Sequence, residues 1–255
     1  MNYADRRVKR GWMNLKVTNV VNETWDTKTF YLEDLEESGR NWDYYAGQYL
    51  TFRFDDIAEK PIVRSYTMSS SPNDPKSCAI TVKRVEKGII SNWLCDKVEV
   101  GSVLRARGPI GKFIYEPGKD QPHLIMIAAG SGVTPFISIM REFAQRLGEP
   151  EAPAKMTLLV AFRSQKDLIL KDTLDFLAAQ SNVSVHITLS RDPDAPDRFW
   201  KGRISNSAIA RATGGVYSGC TFMTCGPQEM MTEAKSFVLQ NGVTPENFKL
   251  ESFES

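Results

Sequence analysis

The sequence predicts two domains: a six-stranded antiparallel β-barrel of Greek-key type, followed by an α/β domain with a doubly wound parallel sheet. The first half of the 255 residues contains short segments rich in Val, Ile, Thr, Tyr and Phe, separated by polar turns. The second half alternates apolar strand-like segments with helical patterns. A linker rich in Pro, Gly and charged residues, 116–122, joins the halves, and we place the boundary after Gly118, giving domains 1–118 and 119–255.

Six segments of the first half are expected to form strands. Several regularly spaced strands without long helices are typical of a small closed barrel. A single short helix is predicted at 90–95. The predicted strands are 15–21, 29–32, 48–54, 63–68, 79–85 and 103–106.

The second half opens with a continuous apolar run, 124–128, which predicts a strand buried on both faces of a sheet. Helical spacing of apolar residues follows, with Pro135 suited to the first turn and Gly148 to the end of the helix. The alternation then repeats, which favours a parallel sheet. Further strands are predicted at 156–162, 183–189, 221–224 and 248–252, and helices at 167–179, 206–212 and 228–239.

Composition and charge exclude several classes of function. A net charge of +1 gives no global field that would attract nucleic acid. No stretch is long and apolar enough to span a bilayer, so we expect no membrane partner. One basic run near the N-terminus is either a solvated tail or a docking patch for an acidic protein partner. It consists of Arg6, Arg7, Lys9 and Arg10.

The cysteines and histidines suggest neither a metal site nor a disulfide framework. Cys78, Cys95, Cys220 and Cys225 are widely spaced and form no C-x-x-C pair or zinc spacing. Nothing near either histidine completes a catalytic triad or a metal set. The N-terminus also lacks the apolar core of a signal peptide. We therefore expect a reduced, cytoplasmic setting.

Small, polar and cationic residues follow the strands of the predicted parallel sheet. Ligands of such sheets bind beyond the carboxyl ends of the strands. The residues expected there are Gly130 to Pro135, Arg163, Ser164, Ser190, Arg191, Cys225, Gly226, Pro227 and Phe253. The turn Gly130-Ser131-Gly132-Val133-Thr134-Pro135 departs from G-x-G-x-x-G, because Pro135 replaces the third glycine. Between an apolar strand and a helix it still indicates a phosphate-binding turn, although an ordinary tight turn is the alternative.

The expected coenzyme of this sheet is NADPH or NADH. Arg163 stands where an acidic residue would bind an unphosphorylated ribose. Because arginine pairs readily with phosphate, Arg163 and Arg191 are compatible with NADPH as the coenzyme. The alternative is that either arginine is simply a solvent-exposed residue at the end of its strand, with no ligand.

Four motifs, in this order along the chain, resemble those of the ferredoxin–NADP reductase superfamily. They are Arg64-x-Tyr66-Thr67-x-x-Ser70, Gly88-x-x-Ser91, Gly130-x-Gly132-x-Thr134-Pro135 and Cys225-Gly226-Pro227-x-x-Met230. The segments 47–49 and 108–113 also look like barrel segments of that family, and the resemblance extends over 15–255. It is nearest to reductase components of aromatic-ring oxygenases and to reductases of hybrid-cluster proteins.

The resemblance implies an FAD site in the barrel domain. Arg64 would pair with the flavin phosphate, Tyr66 would lie against the isoalloxazine ring, and Thr67 would hydrogen-bond its hydride-accepting edge. Lys83 would lie near the ribityl or adenine portion. Backbone amides of 88–91 would hold the pyrophosphate, which favours FAD over FMN. The full set of expected contacts is Arg64, Ser65, Tyr66, Thr67, Val82, Lys83, Gly88, Ile89, Ile90 and Ser91.

The resemblance also implies a nicotinamide site in the second domain. Thr134 and Cys225 would flank the nicotinamide, and Phe253 would cover the exposed flavin face until the nicotinamide arrives. Thr67, Cys225 and Phe253 are therefore the expected catalytic positions. The expected coenzyme contacts are Gly130, Gly132, Thr134, Arg163, Ser190, Arg191, Cys225, Gly226, Gln228 and Met230.

Several of these residues have purely structural alternatives. Tyr66 could be an ordinary barrel aromatic, and Cys225 could be a small buried hydrophobic residue. Phe253 could pack in the core, and Met230 fits helix packing better than ligand contact.

The expected function is that of an FAD-dependent NAD(P)H oxidoreductase. A hydride would pass from nicotinamide to flavin, and single electrons would then pass to a ferredoxin or iron–sulfur acceptor. The cysteines lack the C-x-x-x-x-C-x-x-C spacing of a fused ferredoxin, so that acceptor is expected on a separate protein or on a fused domain outside this chain. Alternatives are a flavin-binding electron-transfer or regulatory subunit of a larger enzyme, or a free flavin reductase. A monomer is expected, because an electron shuttle must expose its flavin edge.

Overall fold

The computed structural model describes residues 11–36, 42–74 and 78–253. The chain divides into two compact units, Met1–Ile114 and Tyr115–Ser255. The basic run at residues 6–10 lies outside the described residues, so its two interpretations stay open. Among the described helices, none has the length and apolar character needed to cross a membrane.

The first unit is the six-stranded antiparallel sheet that the sequence predicts. Its elements are β1 (Trp12–Thr24), β2 (Thr27–Asp34), β3 (Tyr49–Phe54), β4 (Ile62–Thr67), β5 (Cys78–Lys83), α1 (Ile89–Lys97) and β6 (Val103–Ile110). The strand order is β4-β3-β6-β1-β2-β5. A bridge between Met68 and Ile80 joins the two outermost strands, so the sheet curls into a barrel. In the described part of the chain, β4 has a full ladder only with β3.

The core of the first unit follows from the alternation of side chains along its strands. In β1, Met13, Leu15 and Val17 are buried and their neighbours lie outside, as the two-residue period of a strand requires. Phe30 and Phe52 face the same interior and are completely buried. Burying a side chain of this size stabilises the fold by about 1.5–3 kcal/mol.

The second unit is a six-stranded parallel sheet with helices between its strands, again as predicted. Its elements are β7 (His123–Ala129), α2 (Thr134–Phe143), β8 (Lys155–Phe162), α3 (Lys171–Ala178), β9 (Val183–Leu189), β10 (Trp200–Lys201), α4 (Asn206–Thr213), β11 (Cys220–Cys225), α5 (Gln228–Gln240) and β12 (Phe248–Glu251). The strand order is β10-β9-β8-β7-β11-β12. The order reverses beside β7, so the sheet has its topological switch point where β7 and β11 end side by side.

Three local features differ from the sequence expectations. The helix predicted from residue 167 begins at Lys171, because Leu170 takes a left-handed conformation (φ 55°) that separates a short 3-10 turn, Gln165–Asp167, from the helix. Helix α2 ends at Phe143, before the predicted stop at Gly148. The two-residue strand β10 has no counterpart in the prediction.

Candidate functional site

The carboxyl edge of the second unit, meaning the residues that follow β7, β8, β9, β11 and β12, contains most of the predicted coenzyme contacts. At its centre Gly132 meets the end of β11. A Cβ at residue 132 would lie 2.2 Å from the carbonyl oxygen of Cys225. Gly130 is different: its φ is +55°, and a Cβ there would meet no atom within 4 Å. Gly132 is therefore required by packing, whereas the space around Gly130 is open to a ligand.

Thr134 and Cys225 lie on the two strand–helix connections that meet at this point. The Thr134 hydroxyl donates a hydrogen bond to the Ser131 carbonyl at 3.0 Å, and Thr134 is buried. Cys225 is fully buried. Burial, and secondarily the charge of Glu251, raises the pKa of the Cys225 thiol well above its usual range. A buried thiol with a raised pKa is not activated as a nucleophile.

The segment after β11 packs back against the end of β7. A Cβ at Gly226 would lie 2.9 Å from the Met230 methyl and 3.1 Å from the Ala129 nitrogen. Gln228 opens α5, is exposed, and donates its side-chain amide to the Thr232 hydroxyl at 3.3 Å. Gly226 and Met230 thus have a packing role, while Gln228 is free to meet a ligand.

Two exposed arginines lie together at the outer part of the carboxyl edge. The Arg191 backbone N–H donates to the Arg163 carbonyl at 2.7 Å, and the Ser190 N–H donates to the Phe162 carbonyl at 3.0 Å. Within the described ranges, no carboxylate forms an ion pair with either guanidinium. Two unpaired guanidiniums at a sheet edge can bind a phosphate group.

Glu251 is a residue that the sequence reasoning missed. The β11–β12 register sets it beside Cys225. Its Oε2 atom is buried, and no described residue hydrogen-bonds to it. Burial raises the pKa of this carboxyl from 4.5 to about 7. Its position at the carboxyl end of the last predicted strand was the signal that could have identified it.

Phe253 follows β12 and is 46% exposed. This exposure does not fit the alternative of a core residue that simply closes the sheet. Its predicted role in covering a flavin stays a prediction.

In the first unit, β4 presents the residues predicted to bind the flavin. Arg64 is exposed, and its guanidinium donates only to the neighbouring Val63 carbonyl, at 2.7 Å, among the described residues. The Tyr66 ring packs edge-to-face on Phe52 with 5.9 Å between centroids, and burial raises the pKa of its phenol. Ser65 shares a hydrogen bond with the Thr51 hydroxyl at 3.1 Å. Thr67, the last residue of β4, is nearly buried.

Lys83 and Val82 of β5 are less available than the sequence suggested. Lys83 forms an ion pair with Asp26, which is buried. Burial opposes ionisation of Asp26, but the hydrogen bonds from Lys83, Thr24 and Thr27 outweigh it and lower the pKa of the carboxyl. Val82 is completely buried in the barrel core, so only its backbone could face a cofactor.

The turn before α1 is tightly packed around Gly88. A Cβ at Gly88 would lie 2.7 Å from the Ser91 hydroxyl, which accepts a hydrogen bond from the Val85 N–H at 3.0 Å. Gly88 caps the helix without a side-chain hydrogen bond. Ile89 is exposed and Ile90 is buried. The first N–H groups of a helix have no partner inside it, and they favour an anion.

These residues fit FAD by their chemistry. Arg64 offers a cation without a carboxylate partner, Tyr66 offers an aromatic ring, and the start of α1 offers backbone donors for a pyrophosphate. Lys83 adds no free cation, because Asp26 already pairs with it. No group of His, Cys, Asp and Glu in the described residues could hold a metal ion.

Two family models match the chain in succession. Residues 14–115 match the oxidoreductase FAD-binding domain, and residues 126–236 match the oxidoreductase NAD-binding domain. The first unit therefore belongs to a class that binds FAD, and the second to a class that binds NAD. The chain is a member of the ferredoxin–NADP reductase family of oxidoreductases.

Its relatives include reductase subunits of oxygenases. The chain is 29% identical over 247 residues to the glycine betaine monooxygenase reductase subunit of Chromohalobacter salexigens, covering 95% of this chain and 64% of that one. It is 30% identical over 257 residues to the ferredoxin reductase component of 3-ketosteroid-9-alpha-monooxygenase from Mycobacterium tuberculosis, covering 95% and 66%. The chain thus spans just under two thirds of the length of these curated relatives.

A solved structure confirms the fold. The flavohem-like FAD/NAD-binding domain of nitric oxide dioxygenase from Vibrio cholerae matches with a TM-score of 0.82 and 23% identity. The match covers 95% of this chain and 99% of that domain.

The raised pKa of Glu251 predicts a pH-dependent stability. The folded chain keeps the carboxyl proton up to about pH 7, whereas the unfolded chain loses it near 4.5. Because the folded state binds more protons in this window, the free energy of unfolding should fall as the pH rises from 4.5 to 7. Glu251→Gln should remove this part of the dependence, as measured by urea unfolding across the window.

Glu229→Gln is the matched control, since Glu229 lies exposed in the first turn of α5. That variant should follow the wild-type curve. Parallel pH curves for wild type and Glu251→Gln would contradict the assigned burial of Glu251.

Proposed function

We propose that this chain is an FAD-dependent NAD(P)H oxidoreductase that takes a hydride from the nicotinamide and delivers single electrons to a ferredoxin or iron–sulfur acceptor. The observation that carries the proposal is that one chain matches both an FAD-binding and an NAD-binding oxidoreductase domain. Each unit combines unpaired arginine with a glycine turn that precedes a helix: Arg64 with Gly88, and Arg163 and Arg191 with Gly130. When bound, FAD supplies the conversion from two-electron to one-electron chemistry.

In this scheme the residues of the chain bind and orient the flavin and the coenzyme, and they do not transfer protons. Arg64 and the first amides of α1 hold the flavin pyrophosphate, while Tyr66 and Thr67 orient the ring. Thr134 and Cys225 flank the nicotinamide, and Arg163 and Arg191 bind phosphate farther out. Hydride transfer between two rings needs no general acid or base, so positioning is the main contribution of the protein.

The acceptor, the oligomeric state and the cellular setting are parts of the same proposal. The names of the oxygenase reductase relatives support a protein acceptor such as a ferredoxin. All four cysteines are buried free thiols, which supports a reducing cytoplasm. We propose that the chain acts as a monomer; a dimer mass in light scattering would contradict this.

The proposed activity predicts that the purified protein retains flavin and that NADH or NADPH bleaches it. Anaerobic stopped-flow mixing should show loss of the flavin absorbance in a single turnover. Subsequent addition of an oxidised [2Fe–2S] ferredoxin should restore the absorbance. A protein that cannot be reconstituted with FAD, or whose flavin neither coenzyme bleaches, would contradict the proposal.

Arg64→Gln should weaken FAD binding, because it removes a charge-assisted contact to the phosphate. Loss of such a contact costs about 1.5–3 kcal/mol, which is a roughly ten- to hundredfold rise in the dissociation constant. Titration of the apoprotein with FAD, followed by flavin fluorescence, measures this dissociation constant. Arg105→Gln is the matched control, because Arg105 is an exposed arginine of the same unit that lies 5.3 Å from the Trp12 ring. Equal losses in both variants would remove the assigned role of Arg64.

Arg163→Gln and Arg191→Gln should discriminate between the two coenzymes. If the guanidiniums bind the ribose phosphate, KM for NADPH should rise by about tenfold or more, with a small change for NADH. Arg146→Gln is the control, because Arg146 is a cation after α2 that pairs with Glu149. This variant should leave KM unchanged for both NADPH and NADH. Equal effects of Arg163→Gln on NADPH and NADH would exclude phosphate recognition.

A further inference from the structure

The loop between β9 and β10 carries Ser190 and Arg191 at the carboxyl edge, so its shape matters to the proposed coenzyme site. The two residues are held at the start of the loop by main-chain hydrogen bonds to the Phe162 and Arg163 carbonyls, of 3.0 and 2.7 Å. A third contact follows, since the Gln165 N–H donates to the Asp192 carboxylate at 3.0 Å. The start of the loop is therefore tied to the end of β8.

The far end of the loop returns to the sheet through β10, which contains only two residues. Trp200 and Lys201 pair with Thr188 and Leu189 of β9. Most strands are longer than this, and so short a ladder supplies few hydrogen bonds. Lys201 adds one contact to the loop itself, because its ammonium donates to the Pro193 carbonyl at 2.8 Å. Side-chain packing must supply the rest of the attachment.

Trp200 supplies much of that packing, next to the buried Phe199 of the loop. Its ring stacks on the His186 imidazole with 4.6 Å between centroids and 27° between planes. The Arg211 guanidinium carbon lies 4.1 Å from the centroid of the same ring. Trp200 also packs against the hydrophobic cluster that contains Ile204 and Phe222. Aromatic stacking and a cation over the ring both favour one fixed position of the indole.

We propose that Trp200 is a positioning residue for coenzyme binding. Held by His186 and Arg211, it anchors the far end of the 190–199 loop, while the hydrogen bonds to β8 anchor the near end that carries Arg191. With both ends anchored, the loop keeps one position beside the adenosine half of the coenzyme. The inference rests on the proposed function, because the loop has this importance only if the carboxyl edge binds NAD(P)H. In sheets of this kind, the pyrophosphate lies at the first helix and the adenosine ribose beyond the neighbouring strands. Trp200 therefore acts on affinity through the loop and not on the hydride transfer.

The test is anaerobic reduction of the bound flavin at increasing NADH or NADPH, which separates the coenzyme dissociation constant from the limiting rate. Trp200→Ala should raise the dissociation constant by about tenfold and leave the limiting rate within about twofold of wild type. Trp200→Phe keeps an aromatic face and should restore most of the affinity. Inhibition by ADP-ribose, which lacks the nicotinamide ring, should weaken by the same factor as coenzyme binding.

Tyr217→Ala is the matched control. Tyr217 is an aromatic residue of the same cluster, in ring contact with Phe222 and Phe237, and it precedes β11 at the opposite end of the strands. Its loss should lower thermal stability without changing the dissociation constant. If Trp200→Ala does not fold, Arg211→Gln keeps the indole and should still weaken binding by about two- to threefold.

An unchanged dissociation constant in Trp200→Ala, or in Arg211→Gln where the alanine variant does not fold, overturns the positioning role. So does an equal rise in Tyr217→Ala, or a fall in limiting rate with affinity unchanged. These outcomes differ from a failure of the proposed function. In that case the flavin of the wild-type protein itself would not be reduced by either coenzyme, and the positioning role would fail with it.

Discussion

The contact between Gly132 and the Cys225 carbonyl is the constraint on which the second unit depends. Strands β7 and β11 run side by side, with Ala128 opposite Cys225, so their carboxyl ends meet. The turn after β7 must cross the end of β11, and a Cβ at residue 132 would lie 2.2 Å from the Cys225 carbonyl oxygen. Only glycine allows this crossing without a shift of backbone. The crossing brings Thr134, Cys225 and Gly226 together.

Charge is distributed unevenly around this crossing. Burial raises the pKa of the Cys225 thiol and that of the Glu251 carboxyl, the latter to about 7, so near neutral pH this carboxyl carries only part of a negative charge. The exposed guanidiniums of Arg163 and Arg191 lie farther out along the strand order. A reduced dinucleotide has the matching pattern, since its phosphates are anionic and its dihydronicotinamide ring is uncharged. This charge pattern supports the proposed placement of the coenzyme phosphates at Arg163 and Arg191.

The sequence predicts the architecture because local patterns largely determine it. The apolar run of β7, the helical spacing after it and the repeated alternation are sufficient to define the parallel sheet. The glycine turn and both arginines were placed at the carboxyl edge by topology alone. The packing requirement at Gly132 was not foreseen, because close packing against β11 depends on the three-dimensional register and not on the turn. The predicted contact of Gly132 with a coenzyme stays a prediction.

Three features could not be predicted because they arise from contacts distant in sequence. The charge of Lys83 is neutralised by Asp26, 57 residues earlier in the chain. The two residues of β10 show no periodicity, and the contacts of Trp200 with His186 and Arg211, which help to hold them at the sheet, are distant in sequence. Glu251 is set beside Cys225 only by the register of β12 on β11, which its own segment does not reveal.

The incomplete pairing of β4 has a consequence for handling the protein. Among the described residues, this strand has a ladder only with β3, apart from the single bridge at Met68, so much of its other side is a row of unpaired backbone groups. Such an edge can pair with another chain and start aggregation. Arg64, Tyr66 and Thr67 of β4 are proposed flavin contacts, so a bound flavin would cover part of this strand and its loss would leave the edge open to such pairing.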